Sequence, residues 1–217
     1  NRTLGNLIGK GYSLKSAISE MSMISEGYYA TKNAYEIGVE NQIDFNIINT
    51  AYNNLLKTYK TLESTLGPNS IESFEIVNTV HDYRLFWKPK KVKTVLLAES
   101  HVYTSNSDYE SYLNTSYLKL PRYPNKYVRF VYCLGCGENA ILNMNIPKNS
   151  GTPEFWKIFY SCCNKINSRE DFKSILKSKT EFDIRIKNKI KLLNSLKDRG
   201  VWLLDASIIA LYIPKKP

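Results

Sequence analysis

Val92-Lys93-Thr94-Val95-Leu96-Leu97-Ala98, running into Glu99-Ser100-His101, decides the class of fold, because it is a β-branched apolar run bounded by a basic stretch and a polar loop. Such a run reads as a buried strand of a parallel sheet, where both faces are covered and strict alternation is lost. Tyr127 to Leu134 and Val201 to Leu204 have the same character. Helical patterns separate them. Thr152-Pro153-Glu154 opens one, with proline in the first turn where no N–H is needed, and Phe155, Ile158 and Phe159 supply its apolar face. The other runs from Phe182 to Leu196 with Ile184, Ile186, Ile190, Leu193 and Leu196. Strands alternating with helices predict an α/β layer with a mainly parallel sheet.

Upstream the pattern changes to all-α. Ser13 is a good N-cap, and Leu14, Ala17, Ile18, Met21 and Ile24 then recur at helical spacing in a pattern that continues to about Ile37. Gly27 interrupts this helix at about 1 kcal/mol against alanine, which points to close packing or binding there. Gly38 ends it. A second helix follows Asp44-Phe45-Asn46, with Ile47, Ile48, Ala51, Tyr52, Leu55 and Leu56 on one face, so the two form a helical hairpin. From Thr58 the apolar pattern weakens, and Gly67-Pro68-Asn69-Ser70 is a turn signal. The predicted organisation is therefore an all-α hairpin over 1–57, a linker over 58–70 and an α/β domain over 71–217.

The 217 residues are 43% hydrophobic, enough for real cores. Of the 30 Lys/Arg and 20 Asp/Glu, residues 1–69 hold six and six, which leaves twenty-four and fourteen for residues 70–217. The whole +10 excess thus sits in the second segment, an electrostatic footprint that a nucleic-acid partner would fit but that basic chains without such a partner also show. Lys88-Pro89-Lys90-Lys91-Val92-Lys93 beside Phe86 and Trp87 is the densest tract, readable as a phosphate track with stacking support or as a solvated approach to a strand. A membrane span is not expected, because the longest apolar candidate, Val201 to Ile213, is short and contains Asp205. No secretory segment opens the sequence, so the four cysteines read as reduced thiols of a cytoplasmic protein. Cys133-x-x-Cys136 with Cys162-Cys163 has enough sulfur for a tetrahedral site, but adjacent cysteines rarely share one metal, and buried free thiols are the expectation. Asn1 lies inside what already reads as structure, so the start reads as truncated, and Ile213-Pro214-Lys215-Lys216-Pro217 leaves the other end open to the same reading.

Asn1-Arg2-Thr3-Leu4-Gly5, Gly9-Lys10-Gly11, Met23-Ile24-Ser25-Glu26-Gly27-Tyr28 and Ile43-Asp44-Phe45-Asn46-Ile47-Ile48, with Tyr52 beyond, keep the order and spacing of a known family. This stretch resembles the end of bacterial NAD-dependent glycerol-3-phosphate dehydrogenase. The resemblance implies that residues 1–57 adopt the helical C-terminal domain of the 6-phosphogluconate-dehydrogenase-like fold. It further implies that Asn1 is the remaining member of a Ser-Arg-Asn group gripping the substrate phosphate, and that Ile24 and Glu26 contact NAD near the nicotinamide ribose. A carboxylate accepts hydrogen bonds from ribose hydroxyls, and Gly27 permits close approach. Read without the resemblance, Ile24 is a core aliphatic and Glu26 a solvated helix charge. The family's phosphate-binding glycine-rich turn and catalytic lysine are expected upstream, in a nucleotide-binding half that would be this chain's partner. Gly9-Lys10-Gly11 follows no strand and reads as a helix-terminating turn instead. By itself the chain is not expected to bind NAD or transfer hydride.

Over roughly residues 80–213, Leu96-Leu97-Ala98-Glu99-Ser100-His101, Gly151-Thr152-Pro153-Glu154-Phe155-Trp156 and Val201-Trp202-Leu203-Leu204-Asp205 look like the uracil-DNA glycosylase superfamily. That resemblance implies Glu99 as the catalytic residue that orients water at an extruded nucleotide, and Asp205 at the substrate-reading position where the family has asparagine. An aspartate reverses the donor pattern of an asparagine unless protonated. The family's final His-Pro-Ser loop has no counterpart, since only His81 and His101 exist. Three functions stay open: a dehydrogenase fragment fused to a glycosylase-like domain, a nucleobase-excising hydrolase, and a non-catalytic module binding nucleic acid or protein.

Overall fold

Thr94–Ala98 forms strand β1 and Val201–Asp205 forms strand β2, paired in parallel with Thr94 opposite Val201 and Ala98 opposite Asp205. They are a two-stranded sheet in the computed structural model, which describes residues 54–176 and 180–211. Residues 51–217 cluster as one compact unit. The parallel pairing agrees with the sequence expectation, and β2 is buried from Trp202 to Asp205. β1 is not covered on both sides as predicted. Val95 and Leu97, two residues apart and so on one face, are 45% and 48% exposed.

The helices surround this pair. Leu55–Leu66 is α1 and Phe74–Phe86 is α2. The supposed linker from 58 is therefore helical as far as Leu66, anchored by Leu55 and Tyr59 one turn apart, and only Gly67-Pro68-Asn69-Ser70 behaves as a break. Helix α2 buries Ile76, Val77, Val80 and Tyr83, each side chain contributing about 1.5–3 kcal/mol of apolar transfer if fully removed from water. Two one-turn helices follow, α3 (Asn106–Tyr109) and α4 (Thr115–Leu118), capped by the Ser105 and Asn114 side chains. Then come Pro153–Cys163 as α5 and Phe182–Arg199 as α6, with 3-10 turns at Asn139–Ile141 and Arg169–Ile175. None of the described helices is long and apolar enough to cross a membrane.

Three sequence expectations shift. Tyr127 to Leu134 is not a strand; it is a buried chain of turns, with Cys133 N–H on the Phe130 carbonyl at 2.9 Å and Cys136 N–H on the Cys133 carbonyl at 2.9 Å. Aromatic side chains replace the ladder. The Tyr123 hydroxyl donates to the Tyr132 carbonyl at 2.6 Å and accepts from Leu134 N–H at 2.8 Å, and the Tyr132 hydroxyl accepts from Leu203 N–H at 2.8 Å. Buried backbone groups need partners, but these do not have to be another strand. An apolar run cannot distinguish the two cases, since both are buried throughout. In α5 the buried face is Trp156 and Phe159, whereas Ile158 is exposed. In α6 Ile184 points outward and the buried stripe is Arg185, Ile186, Lys189, Leu192, Leu193 and Leu196.

Gly200 joins α6 to β2. It has φ 78°, ending the helix, and its carbonyl accepts the N–H groups of Lys93 at 2.8 Å and Thr94 at 3.1 Å. A Cβ there would lie 2.6 Å from the Lys91 carbonyl oxygen. The start of β1 is thereby locked against the end of α6.

Candidate functional site

Ligands of parallel α/β sheets gather beyond the carboxyl ends of the strands. In this chain that end carries a buried ionic quartet. Asp205, the last residue of β2, pairs with Arg84 of α2, and its Oδ2 lies 3.6 Å from His101 Nδ1. His101 Nε2 meets Glu72 Oε2 at 2.7 Å. Glu72 is held in turn by the N–H groups of Thr104 at 2.6 Å and Ala210 at 3.2 Å. All four side chains are 0–1% exposed. Phe130 covers them, its ring 4.9 Å from the Arg84 guanidinium carbon and edge-on to His101.

The charges explain the protonation states. Arg84 is balanced by one carboxylate, so the cluster is neutral only when His101 is an imidazolium between the two acids. Burial alone would lower the His101 pKa, but the Asp205 carboxylate beside it, the hydrogen bond that Glu72 accepts and the Glu72 charge raise it. Burial would likewise raise Asp205, yet the adjacent His101 imidazole and the Arg84 charge hold it below the usual carboxylate range. A second buried cluster has the same design. Glu138 takes Arg185 Nε and Nη2, both at 2.7 Å, and Lys189 Nζ at 2.7 Å. Burial pushes Glu138 up, but its two cations outweigh this and its pKa is lowered; for Lys189 burial wins and the pKa falls.

Glu99 and Asp205, the two residues of the glycosylase-like reading, lie at the same strand ends in different surroundings. Glu99 is exposed, and its carbonyl accepts Ser207 N–H at 3.1 Å. Asp205 is buried, with its carboxylate held between Arg84 and His101. The basic tract stands apart from both. Lys88, Lys90, Lys91 and Lys93 are exposed in the loop leading into β1, at the amino end of the strands, with Lys88 Nζ 5.0 Å above the Trp202 ring. A five-residue strand is roughly 16 Å long, so the tract does not converge with Glu99 on one surface. Cys133 and Cys136 are buried free thiols, and Cys162 and Cys163 are partly exposed. Among the described residues no group of three His, Cys, Asp or Glu could hold a metal ion. Asn1, Ile24 and Glu26 lie outside the described residues.

Glu72 and Arg84 escaped the sequence reading, as did Glu138, Arg185 and Lys189. A signal was available for the cations. Arg84 falls on the α2 stripe at Ile76, Val80 and Tyr83, and Arg185 and Lys189 fall on the α6 stripe with Leu192 and Leu196. A basic residue at a core position of a helix calls for a buried acid.

Comparison with known proteins assigns the opposite end of the chain. The family model described as NAD-dependent glycerol-3-phosphate dehydrogenase C-terminus matches residues 1–67. Glycerol-3-phosphate dehydrogenase (NAD(P)+) of Staphylococcus aureus strain JH9 is 40% identical over 63 residues, which cover 29% of this chain and 19% of that relative. The enzymes of strains N315 and NCTC 8325 match equally. The chain thus spans about a fifth of the length of the curated relatives it matches. No solved structure matches it. The dehydrogenase resemblance of the N-terminal segment is supported in this way; nothing in these comparisons supports the glycosylase resemblance.

Proposed function

We propose that the chain holds the C-terminal segment of an NAD-dependent glycerol-3-phosphate dehydrogenase joined to an additional α/β unit. The observation that carries this reading is the match of residues 1–67, whose end falls on the Gly67-Pro68-Asn69-Ser70 turn closing α1. In this reading residues 1–57 line one edge of a glycerol phosphate and NAD site. Asn1 donates to the substrate phosphate through its amide, Glu26 accepts from ribose hydroxyls, and Ile24 packs against the nicotinamide end. The nucleotide-binding half supplies the glycine-rich turn for the pyrophosphate and the lysine for the hydroxyl undergoing oxidation. NAD, when bound, would supply the hydride chemistry at carbon 2 of glycerol 3-phosphate, and this chain's residues would bind and orient the two partners.

The test is a chimera in which residues 1–67 replace the matching 63 residues of the Staphylococcus aureus enzyme. NADH formation from glycerol 3-phosphate is expected. Glu26→Ala should raise KM for NAD about tenfold with a smaller effect on kcat, the size of one lost charge-assisted hydrogen bond. A folded chimera without turnover overturns the reading.

A further inference from the structure

One cleft of the 51–217 unit is lined by two cations on a wall whose shape is fixed from behind. It measures about 510 Å³ and lies between α2 and the loop 122–126, where Asp82, Leu85, Phe86, Arg122, Pro124 and Lys126 line it. The wall is rigid. The buried Tyr83 hydroxyl lies 3.0 Å from the Pro124 carbonyl oxygen and 2.9 Å from that of Lys126, and Leu113 N–H donates to the Asn125 carbonyl at 2.7 Å. Lys126 is set by aromatic faces, its Nζ 4.0 Å from the Tyr112 ring centroid and 4.9 Å from that of Tyr109. Its acidic neighbour is Glu110, at 3.9 Å and 70% exposed, a pair of little strength in water.

Arg122 supplies the second observation. Tyr123 N–H bonds the Leu120 carbonyl at 3.2 Å, closing a turn with Pro121 second and Arg122 third, and Arg122 has φ 62°. Proline second and positive φ third define a type II turn, whose third position belongs to glycine. An arginine there holds a left-handed conformation at a cost of about 1 kcal/mol that glycine would not bear. Among the described residues its guanidinium has no ion pair or hydrogen-bond partner, and it stands on the cleft wall.

We infer that this cleft binds a phosphate monoester, with the phosphate between Arg122 and Lys126 and the organic part against Leu85, Phe86 and Pro124. Arg122 and Lys126 outweigh Asp82, so the lining is net positive, and a phosphate monoester is dianionic above its second pKa of about 6. Guanidinium also offers the planar pair of donors that phosphate oxygens accept. Asp82, bonded by Asn78 Nδ2 at 3.4 Å, repels the phosphate from its own side and so fixes the orientation. The site lies within residues 79–126 and does not depend on the dehydrogenase reading.

Titration calorimetry on the full chain tests it, with phenyl phosphate, inorganic phosphate, benzoate and phenol as probes. Phenyl phosphate should bind at least tenfold more tightly than inorganic phosphate or benzoate, and phenol should give no heat. Arg122→Gly should lose at least tenfold in phenyl phosphate affinity while unfolding at a thermal midpoint no lower than the parent, because glycine relieves the turn. Arg122→Gln, which keeps the strain and removes the charge, should lose the same affinity. Absence of phenyl phosphate binding in the parent, benzoate binding as tightly, or affinity unchanged in both variants overturns the inference.

Discussion

Asp205 shows how one residue's partners decide its meaning. At a strand end it has the position of a substrate reader, but its carboxylate is closed between Arg84 and His101. Asp205→Asn leaves two cationic groups buried against one acid, and a loss of about 3–5 kcal/mol is expected by urea unfolding. Glu99→Gln, at an exposed position one residue beyond β1, should stay within about 0.5 kcal/mol. The quartet also sets a pH window. His101 has a raised folded pKa, so its contribution is complete below the unfolded histidine value of about 6.5 and is lost as pH rises through the folded value. Asp205 has a depressed one, so its contribution is present above about 3.9 and is lost as pH falls through the folded value. His81, pushed down to about 4 by burial and then by Arg84 and Lys88, adds to the acid limb, since the unfolded chain binds its proton first. Thermal midpoints against pH should give a dome, and His101→Gln should flatten its alkaline side and, because His101 also lowers the Asp205 pKa, weaken the Asp205 part of the acid side. An unchanged alkaline limb in that variant counts against the imidazolium.

The same separation between position and partner recurs at the scale of elements. Val201 to Leu204 was legible as a strand and α6 as a helix, because an apolar run and apolar residues at helical spacing mark them and Gly200 separates them. Tyr127 to Leu134 was not, since the Tyr123 hydroxyl and the Trp87 indole N–H, from elsewhere in the chain, bond its backbone. Within α6 the buried face turned on Glu138, 47 residues before Arg185, which no local pattern contains. The joint at Gly200 carries a prediction of its own. Gly200→Ala puts a Cβ at φ 78° and 2.6 Å from the Lys91 carbonyl, so it should cost more than about 1 kcal/mol in chemical denaturation and loosen the start of β1. Faster amide exchange at Lys93 and Thr94, whose N–H groups bond Gly200, is the local readout.

For the whole molecule, the dehydrogenase-like segment and the buried clusters occupy different residues. The dehydrogenase match covers 1–67, whereas the clusters, the cleft and the basic tract belong to 71–205, and α1 lies in both the match and the 51–217 unit. Tyr59 of α1 shows that overlap physically: its ring is tilted against that of Phe74 at 5.3 Å, and its hydroxyl donates to the backbone carbonyl of Glu72, a member of the quartet, at 2.9 Å. A polypeptide of residues 51–217 is therefore expected to fold alone, with far- and near-ultraviolet circular dichroism melting together. Starting it at residue 71 removes Tyr59 and Leu55 from the core and should lower the midpoint by several degrees, about what 1–3 kcal/mol shifts in a domain of this size.

The sequence alone determined the features written in short-range order: parallel strand character in Thr94–Ala98 and Val201–Asp205, helices at α5 and α6, a break at Gly67, and a dehydrogenase-like spacing in residues 1–57. Tertiary structure decided which of two faces is buried, whether an apolar run is strand or coil, and that Asp205 belongs to a closed ionic network. The physical reason is that periodicity is a property of neighbours along the chain. Ion pairs such as Arg84 with Asp205 join residues 121 apart, and only folding brings them into one dielectric.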